Sequence, residues 1–125
     1  MEEGSRQTKV IKATATATTV ELTRHHTCQD KNIVYIVECS KCRKQYIGET
    51  KHTAEHRWAE HLGYVRNRRL DQATRAHFNL PGHNIGHMTF SVLEKITSNN
   101  PQYRKARESH YIEKFNLKYA GMNVM

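Results

Sequence analysis

The sequence contains few cysteines and no long apolar segment, and both absences restrict its class. Its three cysteines in 125 residues are an odd number, which argues against the disulfide framework of a small secreted protein. No apolar run approaches the ~20 residues that a membrane-spanning helix needs, and residues 1–12 lack the apolar core of a secretory signal. We therefore expect a protein of the cell interior, where thiols stay reduced, with no membrane partner.

Acidic side chains are the minority among the charged residues. Twenty Lys and Arg oppose twelve Asp and Glu, which gives a formal net charge of +8 and an isoelectric point near 9.6. A small basic domain is typical of a protein that binds a polyanion, with nucleic acid ahead of an acidic membrane surface. Charge alone also fits a protein that only carries a charged surface, so it favours a nucleic-acid partner without requiring one.

The composition divides the chain into two parts. Residues 13–20 consist almost entirely of alanine and threonine and offer little side-chain surface to bury. We therefore predict a flexible N-terminal tail over residues 1–27, with room for a short edge strand at most. Dense apolar content begins at Ile33, and residues 28–125 have a length that folds as one domain.

Short β-branched and aromatic runs predict a small sheet. Residues 33–37 are apolar at every position, which indicates a strand covered on both faces. Residues 45–48 predict a second strand that pairs with the first as an antiparallel hairpin with an elaborated loop. Residues 89–93 alternate in polarity and predict a third strand.

Capping residues predict three helices. Thr50 or Thr53 can cap a helix that runs to about Leu62 and ends at Gly63. Residues 71–78 predict a second helix, and Asn100 before Pro101 predicts a third that reaches residue 115. The order β-β-α-α-β-α predicts an α+β domain with a mainly antiparallel three-stranded sheet flanked by helices.

Tyr35, Tyr46 and Gly48 lie together on the predicted hairpin. Two tyrosines in that position are more often ordinary core aromatics than functional groups. A functional role requires a hydroxyl that donates, accepts or passes a proton near an attacking water molecule.

Arg57 and His61 are four residues apart on the first predicted helix, so they share one face. Arg57 can clamp a phosphate with two donors, and His61 can orient a water molecule or bond a phosphate oxygen. Because Glu55, His56 and Glu60 are also polar, a solvated helix face explains the same spacing.

Glu108 lies on or beside the apolar stripe that Ile112 and Phe115 form on the third predicted helix. A carboxylate in that position is unfavourable unless it is paired or binds a metal ion. Two interpretations therefore stay open: a salt bridge to Arg104 or Arg107, and a metal site.

Cys39-x2-Cys42 and His77-x5-His83 predict a metal site of another kind. Two thiolates and two imidazoles complete the tetrahedral ligand set that structural zinc prefers. The two histidines frame a Pro-Gly turn that can fold His83 back toward His77.

Two other residues are alternative ligands. Cys28 could replace a histidine, and His87 lies four residues after His83. A redox role for the cysteine pair is less favoured, because redox pairs usually begin a helix and this pair lies in a predicted hairpin loop.

Taken in order, these residues resemble the GIY-YIG nuclease superfamily over about residues 32–123. The resemblance is carried by Ile33-Val34-Tyr35, Tyr46-Ile47-Gly48, Arg57 with His61, Glu108 and Asn123. A longer pattern is similar to the endonuclease domain of Penelope-like retroelements, which follows a reverse transcriptase and carries a zinc-finger-like insertion. That pattern consists of Cys39-x2-Cys42-x3-Tyr46-Ile47-Gly48-Glu49-Thr50, Ala76-His77-Phe78, Gly82-His83, Arg107-Glu108-Ser109 and Gly121-Met122-Asn123.

The chain departs from these patterns at two places. Ile33 replaces the glycine of the first motif, but the motif's tyrosine is retained as Tyr35. Residues 118–120 replace the Thr-Pro segment that precedes the terminal Gly-Leu-Asn in related sequences, while Asn123 remains. We expect little chemical loss from the first change and an altered local loop from the second.

The resemblance implies a metal-dependent DNA endonuclease, either excised from a retroelement or derived from one as a host gene. Glu108 would hold Mg²⁺ or Mn²⁺. Tyr35 or Tyr46 would position or deprotonate the attacking water, which at neutral pH requires a nearby cation. The remaining roles are charge stabilisation by Arg57, a hydrogen bond from His61 to the nucleophile or a phosphate oxygen, and hydrogen bonds from Asn123 that hold the site together.

The zinc site would be structural, with Cys39, Cys42, His77 and His83 as ligands. Alternative functions are a catalytically inactive, zinc-stabilised DNA-binding domain and an unrelated zinc-binding interaction domain. The expected catalytic residue types are all present, which argues against the first alternative, and the ordered motifs argue against the second. A DNA enzyme is expected in the nucleus, although the basic residues 66–69 are too short to serve as an import signal by themselves.

Overall fold

The computed structural model describes residues 9–13, 19–22, 29–67 and 73–117. The strands are β1 (Lys9–Lys12), β2 (Thr19–Leu22), β3 (Ile33–Cys39), β4 (Gln45–Thr50) and β5 (Met88–Lys95). The helices are α1 (Ala54–Arg66), α2 (Ala73–Phe78) and α3 (Pro101–Phe115), with a 3₁₀ turn over Ile85–His87. The predicted α+β class is confirmed.

Strand β3 lies in the middle of a three-stranded antiparallel sheet with the order β4-β3-β5. Tyr35 and Val37 are buried on the face that α1 and α2 cover, and Val34 and Ile36 are buried on the face that α3 covers. The prediction of a strand covered on both faces is therefore confirmed. The three-stranded sheet therefore lies between helices, because a central strand that is apolar at every position must be covered on both faces.

The register of the β3–β4 hairpin places the two tyrosines on one face. Tyr35 is opposite Gly48, and Val37 is opposite Tyr46. Because side chains alternate along a strand, Tyr35, Val37 and Tyr46 all point to the α1 side of the sheet. Strand β4 is at the edge of this sheet, so the tyrosines lie close to its border.

Helix α1 begins where predicted but ends later. Thr53 is the N-cap, and its Oγ1 accepts a hydrogen bond from the His56 backbone N–H at 3.1 Å. The predicted end at Gly63 is wrong, because the helix continues to Arg66 and the Gly63 carbonyl accepts from the Asn67 N–H at 2.9 Å. Burial of Val65 in the core outweighs the weak helix preference of a single glycine.

The bounds of α3 agree with its predicted start and stop signals. The Asn100 side chain accepts from the Gln102 N–H at 2.9 Å, Pro101 is the first helical residue, and Asn116 ends the helix with a left-handed backbone. Helix α2 ends at Phe78 as predicted, whereas its predicted start at Asp71 lies outside the described residues.

The N-terminal segment, predicted as a tail with room for a short edge strand, contains two paired strands where it is described. Strands β1 and β2 pair antiparallel, Ala13 is fully buried among the α3-side core residues, and the Lys12 carbonyl accepts from Gln45 Nε2 at 2.8 Å. The segment around Lys12 and Ala13 therefore packs on the domain. The domain boundary at residue 28 stays a prediction.

Within the described ranges, no helix has both the length and the apolar character needed to cross a bilayer.

Candidate active site and metal cluster

The Tyr35 hydroxyl is the centre of a hydrogen-bonded group on the α1 side of the sheet. Arg57 Nε donates to Tyr35 Oη at 2.8 Å, and Tyr35 Oη lies 2.8 Å from His61 Nε2. Because Arg57 and His61 are one turn apart on α1, both can reach the same oxygen. The predicted shared face is confirmed, and this face is turned toward the sheet rather than toward solvent.

Gly48 makes room for the Tyr35 ring. A methyl group in place of the Gly48 hydrogen would lie 2.5 Å from Tyr35 Cζ, well inside contact distance. Tyr35 is fully buried and stacks on Phe90 with ring centroids 4.8 Å apart, so its ring has little freedom to move. The glycine of the second motif therefore serves close packing in the hairpin.

Further side chains complete the surroundings of Arg57. Arg57 Nη1 donates to Glu60 Oε1 at 3.1 Å and to Tyr64 Oη at 3.3 Å. The Tyr46 ring lies 5.7 Å from the His61 ring, centroid to centroid. Glu60 and Tyr64 were not predicted as site residues, although their spacings of three and seven residues from Arg57 place them on its face.

Burial controls the charge of this group. Burial, with the charge of Arg57, lowers the pKa of His61 to about 3, so the imidazole is neutral at physiological pH. Burial also raises the pKa of Tyr35 and of Tyr46, and the opposing charge of Arg57 does not cancel the effect. Both phenols therefore stay protonated near neutral pH unless another cation lies beside them.

Glu108 approaches the same group from α3, at the β4 edge of the sheet. Its carboxylate is half-buried, and its charge raises the pKa of both Tyr35 and Tyr46. Burial, and then the charge of Glu49, raise the pKa of Glu108 itself against the opposing charges of Lys105 and Arg57. A cation beside Glu108 would relieve both effects.

The arginines that could have paired with Glu108 are engaged elsewhere. Arg104 Nε donates to Glu49 Oε2, and Arg107 makes a two-pronged contact with Glu94, with Nη2 2.8 Å from Oε1. No basic side chain of the described residues lies within 4.0 Å of the Glu108 carboxylate. The salt-bridge interpretation of Glu108 is therefore not realised. A half-buried carboxylate without an ion pair is a suitable oxygen ligand for a hard divalent cation.

The Cys/His cluster forms where the β3–β4 loop meets the turn after α2. Cys39 ends β3, and the chain reverses through Arg43, whose φ is +68° and whose N–H donates to the Cys39 carbonyl at 2.8 Å. On the other side Gly82 has a φ of +79°, which turns His83 back toward His77 as predicted. The two histidine rings are 4.7 Å apart.

The donor atoms of Cys39, Cys42, His77 and His83 all lie within 4.8 Å of one another. Tetrahedral zinc bonds of about 2.0–2.3 Å separate ligand atoms by about 3.3–3.8 Å, so a small adjustment would close the site. His83 Nδ1 donates to the Pro81 carbonyl, and Nε2 is buried with no hydrogen-bond partner among the described residues. A buried nitrogen of this kind fits a metal ligand.

His77 is neutral in these surroundings. Burial, followed by the neighbouring His83 and Lys44, lowers the pKa of His77 to about 4. The neutral imidazole is the form that coordinates a metal ion. The set of two cysteines and two histidines therefore has the chemistry and the spacing to hold a zinc ion.

The structure brings together most of the predicted site residues. His87 is not in the cluster, because its Nδ1 accepts from the Asn84 N–H at 3.2 Å. Cys28 and Asn123 lie outside the described residues. Thr74 was not predicted as a site residue, because no spacing rule links residues on two different helices. Its Oγ1 lies 2.9 Å from His61 Nδ1.

Comparisons with known proteins agree with this geometry. A family model described as the GIY-YIG catalytic domain matches residues 31–122. The solved structure of the catalytic domain of homing endonuclease I-TevI shares the fold, with a TM-score of 0.60 and 24% sequence identity. That similarity covers 74% of this chain and 96% of the other. A search of curated proteins found no match.

Proposed function

Because the chain belongs to the GIY-YIG catalytic-domain family, we propose that it is a metal-dependent DNA endonuclease that hydrolyses phosphodiester bonds. Family membership confirms the predicted GIY-YIG enzyme class. Two observations support DNA as the substrate. The chain shares the fold of the catalytic domain of a homing endonuclease, and its net charge of +8 suits a polyanion. The observation that carries the proposal is the Tyr35–Arg57–His61 group with Glu108 beside it.

The residues fit a catalytic divalent cation at Glu108. A bound Mg²⁺ or Mn²⁺ would neutralise charge on the scissile phosphate and on the leaving 3′ oxygen. Glu108 supplies a carboxylate that has no competing ion pair among the described residues. The positive charge of Arg57 also favours an anionic phosphate at this edge of the sheet.

The two tyrosines have different access to a substrate. Tyr35 is fully buried behind Arg57 and His61, whereas Tyr46 is partly exposed. Tyr46 is therefore the better placed of the two to contact the attacking water, and Tyr35 holds Arg57 and His61 in position. Since the pKa of Tyr46 is raised by burial, it acts as a phenol that orients water until a cation is bound.

Arg57 and His61 contribute complementary functions. Arg57 keeps its charge, because Tyr35 and Glu60 raise its pKa against the effect of burial. It would stabilise negative charge as the phosphate is attacked. His61 is neutral, and its two ring nitrogens contact Tyr35 Oη and Thr74 Oγ1, so it orients the Tyr35 hydroxyl without adding charge. Asn123 is proposed to complete the site by hydrogen bonds, as the family motif implies.

The Cys/His cluster is proposed to bind structural zinc. It lies away from Glu108, at the end of β3 and α2, and its ligands are sulfur and nitrogen rather than oxygen. Such a site contributes folding free energy and leaves no open position for catalysis.

The Penelope-like pattern supports a further proposal, that the domain derives from a retroelement. Its support is the cysteine and histidine spacing together with the contact of these four residues in the fold. Genomic sequence that encodes a reverse transcriptase immediately upstream would support this origin. For an enzyme that acts on DNA we also propose a nuclear location, which imaging of a fluorescent fusion would test.

The nuclease proposal is tested by nicking of supercoiled plasmid with Mg²⁺, with Mn²⁺ and with EDTA. We expect metal-dependent nicking by the parent and a loss of at least about a hundredfold in Glu108→Ala, because the variant lacks the metal ligand. Glu113→Ala is the matched control, since Glu113 is an exposed acid on the same helix, and it should cut like the parent.

The outcomes separate the alternatives. Parental cleavage by Glu108→Ala would refute the metal role of Glu108. Absence of nicking by the parent under every metal, with DNA binding retained, would favour a catalytically inactive DNA-binding domain.

A further inference from the structure

Thr74 contacts the candidate active site from the side opposite Tyr35. Its Oγ1 lies 2.9 Å from His61 Nδ1, and both side chains are 1% exposed. The other ring nitrogen, His61 Nε2, lies 2.8 Å from Tyr35 Oη. The imidazole is therefore held at both nitrogens, by Tyr35 from the sheet and by Thr74 from helix α2.

These contacts satisfy the neutral His61 ring at both nitrogens. With its hydrogen on Nδ1, the imidazole donates to Thr74 Oγ1 and accepts from the Tyr35 hydroxyl at Nε2, and with its hydrogen on Nε2 both directions reverse. In either case Nδ1 would be buried without its hydrogen bond if Thr74 were absent.

The same short helix carries a ligand of the Cys/His cluster. His77 follows Thr74 by three residues, and its Nε2 lies 3.3 Å from Cys42 Sγ. Residues three apart lie on the same side of a helix, and both Thr74 and His77 are buried against the domain. One face of α2 therefore contacts the candidate active site near the start of the helix and the Cys/His cluster near its end.

Helix α2 depends on such contacts for its position. It has six residues, which is too short to be stable alone. Phe78 also attaches it to the core, and Asn79, which follows the helix, donates from Nδ2 to the Val65 carbonyl at 3.1 Å. A metal ion on His77 would add the strongest of these attachments.

We propose that Thr74 is a positioning residue that fixes the orientation of the His61 ring, and that the Cys/His cluster influences catalysis through Thr74 by holding α2 in place. The catalytic part of this inference rests on the proposed nuclease function. The structural part concerns the state of the His61 ring and can be measured without DNA.

Thr74→Val and Thr74→Ala remove the hydroxyl, and Thr74→Ser keeps it. In plasmid nicking we expect kcat to fall about tenfold in the Val and Ala variants, the size of one lost buried hydrogen bond, with KM and zinc content unchanged. The Ser variant should restore kcat. In ¹⁵N NMR of the DNA-free protein, the His61 ring signals should shift in Val and Ala and stay near parental values in Ser.

Unchanged His61 signals in a folded Val or Ala variant would overturn the positioning role, whether or not the parent cuts DNA. If the parent does not cut DNA but the His61 signals change in the Thr74 variants, the nuclease proposal is refuted and the positioning role of Thr74 stands. The coupling of the Cys/His cluster to His61 through Thr74 is tested by combining Cys42→Ser with Thr74→Ala. We expect the kcat of the double variant to equal that of Cys42→Ser, whereas multiplied losses would overturn the coupling through Thr74.

Discussion

At the scale of single residues, the site depends on how closely Gly48 and Tyr35 approach each other. The two residues are directly opposite in the β3–β4 hairpin, and the Tyr35 hydroxyl is fixed by Arg57 and His61 on its other side. A side chain at position 48 would therefore displace the hydroxyl that the other two residues contact.

We expect Gly48→Ala to lower the free energy of unfolding by about 1–3 kcal/mol, the usual effect of overpacking a filled core. Nicking activity should fall more than stability alone explains, because Tyr35 must move away from Arg57 and His61. Urea unfolding and plasmid nicking measure the two effects.

Gly63→Ala is the matched control. Gly63 is inside α1, and an added methyl group would have no neighbour within 4 Å. This change should stabilise the protein by about 0.5–1 kcal/mol, because alanine favours the helix, and should leave cleavage intact. Parental cleavage by Gly48→Ala would show that the Tyr35 position is not critical.

At the scale of secondary-structure elements, the placement of α3 against β4 determines where Glu108 lies. Arg104 on α3 pairs with Glu49 on β4, with only 8% and 15% of the two side chains exposed. Arg104 Nη1 also donates to Asn32 Oδ1 at 3.3 Å, just before β3. This buried ion pair joins the helix to the edge strand one turn away from Glu108.

We expect Arg104→Met to destabilise the domain by about 3–5 kcal/mol, because it removes the buried partner of the largely buried Glu49 carboxylate and leaves only the exposed Lys105 beside it. Lys105→Met should lower stability by less than about 1 kcal/mol. Lys105 is adjacent in sequence and lies 3.9 Å from the same carboxylate, but 67% of its side chain is exposed. Chemical unfolding measures both losses of stability. Equal losses in the two variants would contradict a large contribution of the buried ion pair to stability.

At the scale of the whole molecule, the Cys/His cluster connects segments that are distant in sequence. One ligand is the last residue of β3, one is in the β3–β4 loop, and two come from α2 and the turn after it. Lys41 Nζ also donates to the Gly82 carbonyl across this junction. Since the sheet has three strands, a metal cross-link would contribute a large share of the domain's stability.

We expect Cys42→Ser to lower zinc content and to lower Tm by roughly 10 °C or more, because metal coordination contributes folding free energy. Mass spectrometry of the native protein and calorimetry measure the two quantities. Cys28→Ser is the control and should retain zinc. Unchanged zinc stoichiometry in Cys42→Ser, or its loss in Cys28→Ser, would refute the proposed ligand set.

The sequence by itself determined most of the secondary structure and the residue types of the site. Continuous apolar character marked β3, and Asn100 with Pro101 marked the start of α3. These signals are local, because strand burial, helix caps and helix periodicity depend on neighbours a few residues away. The spacing of Arg57 and His61 was informative for the same reason.

Only the tertiary structure decided which groups are partners. Arg104 and Arg107 could each have neutralised Glu108, yet carboxylates from β4 and β5 compete for them and leave Glu108 without an ion pair among the described residues. The contact between His61 and Thr74 likewise depends on how two helices pack. Charge pairing and helix packing join residues that are distant in sequence, so local patterns do not determine them.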